Sequence, residues 1–197
     1  GLRVPSDSDL GLLYLTDSRY TQQEQYDFIK QMIDNAKKAS DVVCVSMHWQ
    51  DENITQPDTS QVDIMNKLLE YGADIVIGTG PHVLQPIEFK ENGDGEQALV
   101  IWSLGNLVSC QKQRNNLLGG IADITVNKDN TTGKITISEA SLIPTITHYN
   151  SNFGNVRIIP LANYNEGLAS LHGTSSTFTY DYIVNFYNEM FGERLKV

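Results

Sequence analysis

The sequence predicts an α/β fold in which parallel strands alternate with helices. Two short apolar runs, Val42–Met47 and Asp74–Gly78, have the length of strands, because a helix needs about ten or more residues. Between them lies a segment with the spacing and the capping residues of a helix. A strand, helix, strand unit places its two strands parallel with a right-handed crossover, so both strands should end at the same edge of a sheet.

Size and composition limit the classes of function. The chain has 197 residues, which we interpret as a single domain over 1–197, and its hydrophobic content of 40% is that of an ordinary globular protein. Its formal charge of −10 and the lack of a basic stripe exclude a nucleic-acid backbone as partner and argue against anionic membranes. No run of 18 apolar residues is present to span a membrane.

The amino-terminal part contains one strong helix signal. Leu12–Leu15 is a weak strand candidate in a turn-rich stretch. Thr21 and Glu24 then form a capping-box pattern, which satisfies the free amides at a helix start and predicts a helix to about residue 38. The apolar face of this helix consists of Ile29, Met32, Ile33 and Ala36.

The central elements follow from the same kind of signals. Val42–Met47 is rich in β-branched residues and is predicted to be a buried strand, with Cys44 packing as a small hydrophobic residue. Asp58 and Gln61 cap a predicted helix over residues 60–71. Gly72 fits the left-handed position that ends such a helix, and the second strand begins directly after it.

The remaining elements are mostly strands. The predictions are a strand at 98–102 of undetermined direction, a hairpin of 119–126 and 134–142 around a turn at 129–133, a strand at 156–161, an irregular segment at 162–178 and a last helix at 181–191. Cys44 and Cys110 are too few for a disulfide framework.

Two histidines follow the two parallel strands. His48 comes after the first strand and His82 after the second, so both should open onto one cleft. Imidazole is a common ligand for zinc, manganese and iron, and two of them could form half of a metal site. A single histidine after a strand is more often a structural residue, and that alternative remains open for each of them.

Other polar residues near these strand ends have two interpretations each. Trp49 could cover a ligand or fill the core, and Asp51 and Glu52 could be acid/base groups or a solvated face. Ser103 and Asn106 could bind a ligand or satisfy their own turn. His148 and His172 are interpreted as ordinary surface or turn residues.

Several motifs are absent from the chain. It has no Gly-x-Ser-x-Gly elbow of the α/β-hydrolases. Gly78-Thr79-Gly80 lacks the residues that would continue it into a dinucleotide or phosphate-loop fingerprint.

Three blocks carry a resemblance to a known family. VVCVSMHW, GADIVIGTGPHVLQPIE and IWSLGNLV, in this order over residues 25–110, resemble the CapA-type bacterial capsule synthesis family, whose polymer is poly-γ-glutamate and which is similar to calcineurin-like metallophosphoesterases. The resemblance implies a four-layer α/β/β/α sandwich with a metal site between strand ends, of which this chain supplies the carboxyl-terminal portion.

The resemblance also implies roles for particular residues. His48 and His82 match metal ligands and would be the catalytic pair. Positions near the cleft that would contact substrate are Trp49, Glu52, Glu88, Ser103 and Asn106. The implied cofactor is a divalent ion (Mn, Zn or Fe), and the implied partners are an anionic polymer or a small phosphate or peptide substrate.

Two departures from the family pattern favour a second hypothesis. Gly80 stands where the family has the first histidine of a His-Pro-His block, and Gln50 replaces a glycine after His-Trp. Residues 1–40 contain no counterpart of the upstream ligand blocks. The chain begins with Gly1 rather than Met, so we expect a processed or excised piece whose other half comes from a missing segment or another chain.

Two functions therefore stand side by side at this point. The first is a metal-dependent, phosphoesterase-like hydrolase of capsule biosynthesis. The second is a degenerate, non-catalytic module that binds a polymer or a partner protein. For either function the resemblance implies an extracytoplasmic place at the bacterial cell surface.

Overall fold

The predicted α/β fold is confirmed by the computed structural model, which describes residues 19–196. Within these residues, helices cover one face of a mixed sheet, and a second sheet packs against its other face. The candidate strand at Leu12–Leu15 lies outside the described residues.

The first two of the four α-helices in residues 19–196 begin where the capping signals predict. The four are α1 (Gln22–Ala39), α2 (Thr59–Glu70), α3 (Glu166–Ser170) and α4 (Tyr180–Phe191). Thr21 caps α1 and Asp58 caps α2, each in a complete capping box with the residue three positions later. Gly72 follows α2 with a φ of 91°, as predicted for the residue that ends this helix.

The first sheet contains the predicted strand, helix, strand unit. Its strands are β1 (Cys44–His48), β2 (Ile75–Thr79), β3 (Leu84–Glu91) and β4 (Gln97–Leu104), in the spatial order β1-β2-β4-β3. β1 and β4 both run parallel to β2, whereas β3 is antiparallel to β4. The carboxyl ends of β1, β2 and β4 therefore meet at one edge.

β1 differs from its prediction in burial. Among the described residues it pairs only with β2 and forms an edge of the sheet, so Cys44, Ser46 and His48 are exposed. The predictions that this strand is buried and that Cys44 packs in a core are therefore wrong. The apolar run is explained by the opposite side of the strand, where Val43 is buried against the helices.

The second sheet is the predicted hairpin with one further strand. It consists of β5 (Leu118–Lys128), β6 (Ile135–His148) and β7 (Arg157–Pro160), all antiparallel. The turn is organised by Asp129, whose carboxylate accepts from the backbone amides of Thr131 and Thr132. β6 is longer than predicted because it continues to His148.

Two apolar cores lie on opposite faces of the first sheet. The helix-side core contains Met65 and Leu68 of α2, with Val76, Val100 and Trp102 of the sheet. The other core lies between the two sheets and α4, and its large members include Leu99, Ile101, Leu142, Ile146 and Tyr187. Alternate residues of β2 and β4 point into different cores, as the two-residue period of a strand requires.

The carboxyl-terminal region packs on the second core. α4 begins one residue before its predicted start, and the segment at 162–178, predicted irregular, contains the short helix α3. The Arg194 guanidinium lies 5.2 Å from the centre of the Phe89 ring in β3, which links this region to the first sheet. None of the helices within 19–196 has the length and apolarity needed to span a bilayer.

Candidate active site

The loops that follow β1 and β2 are bound to each other by backbone hydrogen bonds. The Trp49 amide donates to Thr79 O over 2.8 Å, and the Asn53 amide donates to Pro81 O over 2.8 Å. These two bonds bring the β1 loop, which carries Glu52, against the β2 turn, which carries His82. At the predicted edge of the sheet, the loops after β1 and β2 are therefore directly joined, and we call this place the junction.

Gly80 makes this junction close. Its φ is 108°, and a Cβ atom there would lie 2.3 Å from Trp49 O and 2.8 Å from Trp49 N. A side chain at this position would force the two loops apart. The close approach of the Trp49 backbone therefore explains why this position holds a glycine and not the histidine of the family pattern.

His82 sits at the centre of the junction in a strained backbone conformation. Its φ is 63°, which is uncommon for a residue with a side chain and is often found at functional positions. Its Nδ1 lies 2.9 Å from Asn106 Oδ1, and its Nε2 lies 3.6 Å from Glu52 Oε1. The ring is thus held between residues from the loops after β4 and β1.

The partners of Asn106 determine the protonation pattern of His82. The Asn106 Nδ2 group donates to Asn116 O over 3.0 Å, and a backbone carbonyl can only accept. The opposite end of this amide, facing His82, is therefore the oxygen. It accepts from Nδ1–H, so in the neutral form of the ring the lone pair is on Nε2, the nitrogen that faces Glu52.

Three further amide side chains surround Asn106, and the sequence analysis did not find them. Asn116 Nδ2 donates to Asn53 Oδ1 over 2.7 Å and to Gln111 Oε1 over 2.9 Å. Gln111 Oε1 also accepts from Asn106 Nδ2 over 2.9 Å. Gln111 and Asn116 lie in a polar run after β4 and Asn53 lies in the polar loop after β1, and neither stretch is distinguishable from a solvated loop by sequence.

His48 lies at the same edge of the sheet but has different neighbours. It is exposed, and its Nδ1 is 3.5 Å from the Thr79 hydroxyl, at the outer limit of a hydrogen bond. Among the hydrogen bonds of residues 19–196, none joins His48 to His82. The strand directions predicted for the pair are confirmed, whereas its role as a catalytic and metal-binding pair stays a prediction.

The other candidate positions have structural partners. Trp49 is buried, and its indole donates to Trp102 O over 2.8 Å. Ser103 is buried, and its hydroxyl accepts from Gly105 N within their own turn over 3.2 Å. Glu88 lies opposite Val100 in mid-strand, where it accepts from the Trp102 indole. Of the five predicted substrate contacts, Glu52 and Asn106 are the two placed against His82.

These residues do not make up a complete metal site. His82 Nε2 and the Glu52 carboxylate are one nitrogen and one oxygen donor that face each other. A catalytic zinc site takes three protein ligands, and no three His, Cys, Asp or Glu side chains within 19–196 are grouped to hold one ion. Within residues 19–196, His82 and Glu52 are thus two donors at the junction and fall short of a set of three.

His148 and His172 form a second histidine cluster. The prediction of His148 as a surface or turn residue is wrong, because it is buried at the end of β6, whereas His172 is half-buried in an irregular segment. His148 is 1% exposed, and its ring centre lies 5.0 Å from that of His172. His172 Nε2 donates to Thr147 O over 2.9 Å, while its Nδ1 accepts from the Thr174 amide over 3.1 Å. This pattern requires a neutral ring. Burial lowers the pKa of both histidines.

The buried histidines predict a loss of stability in mild acid. Their pKa values lie below the ordinary 6.5 only in the folded state, so the unfolded chain binds more protons as the pH falls through that value. We expect the free energy of unfolding to decrease from about pH 6.5 downward and to level off below the folded pKa values. Urea denaturation at several pH values in this range measures the free energy of unfolding.

Substituted proteins identify the source of this pH dependence. The double variant His148→Gln, His172→Gln should unfold more easily at every pH but lose the part of the slope that the two rings cause. His48→Gln, which removes an exposed ring, should keep the wild-type slope. A double variant with an unchanged slope would contradict the assignment.

Similar proteins identify the family of the chain. The pattern of the family described as "Bacterial capsule synthesis protein PGA_cap" matches residues 9–111. The PGA biosynthesis protein CapA of Bacillus subtilis (strain 168) is 42% identical over 77 residues, which are 39% of this chain and 19% of that protein. The capsule biosynthesis protein CapA of Bacillus anthracis is 35% identical over 75 residues, which are 38% of this chain and 17% of that protein.

The two matched segments span less than a fifth of either relative. The family pattern, in contrast, extends over slightly more than half of the present sequence and includes β1, β2, β4 and the junction that carries His82. This chain therefore belongs to the bacterial capsule synthesis protein family PGA_cap.

Proposed function

We propose that the chain acts in the biosynthesis of a capsular polymer, poly-γ-glutamate or a related one, and that His82 is the reactive residue. The observation that carries the proposal is the environment of this ring. A side chain in a strained backbone conformation is held by Asn106 with Nε2 left free and facing a carboxylate. Its placement at the carboxyl edge of parallel strands agrees with the usual position of ligand sites in α/β sheets.

The arrangement suits general base catalysis of hydrolysis. Nε2 would accept a proton from water as the water oxygen attacks an amide or phosphate centre of the substrate. As the scissile bond breaks, the imidazolium would return this proton to the leaving amine or alkoxide and so restore the neutral ring. Glu52 Oε1, 3.6 Å away, would stabilise the positive charge that develops on the ring. Asn106 would keep the ring oriented through the step. The substrate would be an anionic polymer or a smaller phosphate or peptide precursor of it.

The proposal also includes a divalent ion, for which the described residues would supply part of the ligands. His82 and Glu52 are the described residues that would contribute to its binding, and the ion would supply a Lewis acid for the scissile group. The remaining donors would come from another part of the protein or from another chain. We further propose that the chain acts outside the cytoplasm, where a capsular polymer is handled.

The second candidate function is a non-catalytic module that binds the polymer or a partner protein. Two observations favour it. The packing around Gly80 leaves no room for a ligand side chain at that position. In addition, the described residues supply fewer donors than a catalytic metal site needs.

Matched histidine substitutions in the whole protein distinguish these functions. We expect His82→Gln to lower the rate of polymer or phosphoester hydrolysis by about a hundredfold, within the range of general base catalysis. His48→Gln is the control, because this ring lies at the same edge without contacting Asn106 or Glu52. Metal content is measured in the same preparations.

The outcomes separate cleanly. Loss of activity in His82→Gln alone supports general base catalysis. Loss of both activity and bound metal in each variant supports the two-histidine metal site that the family resemblance implies. The enzyme proposal would be wrong if the wild-type protein hydrolysed none of these substrates. If both the wild type and His82→Gln then sedimented equally well with the polymer, the binding module would be the better description.

A further inference from the structure

Asn116 occupies the centre of the amide network around the candidate site. It lies in the loop between β4 and β5 and is 2% exposed. Its Nδ2 group donates to two side-chain oxygens from different segments, Asn53 Oδ1 and Gln111 Oε1. Its backbone carbonyl accepts from Asn106, the residue that contacts His82. One residue thus connects the loops after β1 and β4.

The orientation of the Asn116 amide is determined by its neighbours. In the observed orientation its Oδ1 is buried without a partner among residues 19–196, and an unpaired buried oxygen is unfavourable. Turning the amide over would place that oxygen against two other oxygens, which repel it, and would lose both donated bonds. The present orientation is therefore the better of the two despite its unpaired carbonyl.

The orientation of the Asn116 amide is matched by those of Gln111 and Asn106, because hydrogen bonds connect the three side chains. Gln111 must present its oxygen to Asn116 Nδ2, and the same oxygen accepts from Asn106 Nδ2. Asn106 can then present only its oxygen to His82. The Asn116 backbone carbonyl is the partner in this series that cannot exchange roles, so it fixes Asn106, and the orientations of Gln111 and Asn116 agree with it.

We propose that Asn116 is a positioning residue, which acts through Gln111 and Asn106 to hold His82 in the tautomer with its proton on Nδ1. This inference rests on the proposed function and deepens it. The tautomer decides whether Nε2 carries a lone pair, which it needs in order to accept a proton or to bind an ion. Free histidine in water prefers the opposite tautomer, so the protein has to impose this one.

Asn53 extends the network to the other side of the site. Its amide N–H binds Pro81 O, next to His82, and its side chain accepts from Asn116. Asn53 directly follows Glu52, the carboxylate that faces Nε2. The same hub therefore also restrains the loop that carries the second functional group.

The test is the tautomer of each histidine, read from the ring nitrogen shifts in an NMR spectrum of protein labelled with ¹⁵N in its histidine rings. We expect His82 to show a protonated Nδ1 and an unprotonated Nε2. His172 should show the reverse, because its Nε2 donates to a carbonyl and its Nδ1 accepts from an amide. The spectrum thus contains its own internal reference.

Substitution of the hub should change one histidine and spare the other. Asn116→Ser keeps the backbone carbonyl but loses the two side-chain bonds that hold it in place. We therefore expect the population of the Nδ1–H form of His82 to fall below that of the wild type, while His172 keeps its tautomer and reports an intact fold. Asn127→Ala is the matched control, since it removes an amide that binds Ser138 on the β5–β6 hairpin. That control should leave both rings unchanged.

Three results would overturn the proposal. They are a wild-type His82 with its proton on Nε2, an Asn116→Ser protein with an unaltered His82, and an Asn127→Ala protein with the same change. If Asn116→Ser does not fold, Asn106→Leu removes the acceptor directly and must release the tautomer. These readouts do not depend on hydrolysis, so the positioning role can fail or hold separately from the proposed function.

Discussion

Replacing Gly78 by alanine is expected to destabilise the fold by about 3–5 kcal/mol, a large part of the 5–15 kcal/mol that typically stabilises a domain. Gly78 lies in β2 beneath the Trp49 indole. A Cβ atom there would lie 1.9 Å from Trp102 O and 2.3 Å from Trp49 Nε1. The substitution must either push β2 and β4 apart or expel the indole and break its bond to Trp102 O.

Chemical denaturation of the purified variant measures this effect, and we expect the variant to unfold at a much lower denaturant concentration than the wild type. Gly154→Ala is the matched control, because a Cβ atom at that position meets only Ser151 O at an ordinary 3.6 Å. The control should change the free energy of unfolding by less than about 0.5 kcal/mol. A Gly78→Ala protein that unfolds at the wild-type denaturant concentration would show that the indole does not occupy this position.

Replacing Tyr187 by alanine is expected to cost about 4 kcal/mol. This side chain of α4 is fully buried in the core between the two sheets. Its hydroxyl lies 2.8 Å from Gly119 O and 2.7 Å from Thr145 O, and it shares one proton between these two carbonyls. Gly119 and Thr145 are paired across β5 and β6, so the phenol joins α4 to both strands of the hairpin.

A second variant separates the packing of Tyr187 from its hydrogen bonding. Tyr187→Phe keeps the ring and removes the hydroxyl, so it should lose only about 1–2 kcal/mol. Both values come from denaturation curves of the wild type and the two variants. Equal losses in the alanine and phenylalanine variants would mean that the hydroxyl, and not the buried ring, supplies the stabilisation.

The first two helix starts and the parallel direction of β1 and β2 were predictable because they depend on local signals. The capping boxes at Thr21 and Asp58 involve residues three positions apart, and each has one geometric solution. The parallel pairing of β1 and β2 follows from the handedness of the crossover. These rules are sufficient to place His48 and His82 at one edge of the sheet from the sequence.

Burial and long-range contacts were not predictable in the same way. The apolar composition of β1 does not reveal that its outer side lacks a covering element, which is why Cys44 was misplaced. His148 and His172 meet because β6 continues further than its alternating pattern indicates. Asn116 has no local feature that distinguishes it from a residue of a solvated loop.

The candidate site was predictable in part for the same reason. His82 was found because it directly follows a strong strand. Its partner Asn106 and the neighbouring Glu52 were named as candidates with a structural alternative left open, and the family resemblance then placed them near the cleft. The contacts that orient the ring depend on three loops meeting in space, and no spacing within one loop encodes them.

The division of alternate residues in β2 and β4 between the two cores has a thermodynamic consequence. Val76 and Val100 are buried on the helix side, while Ile75, Leu99 and Ile101 are buried on the other side of the same strands. Melting either core would expose the strands from which the other is built. The helical layer and the hairpin layer therefore share one cooperative unit, and the loop junction that holds His82 is supported by both of them.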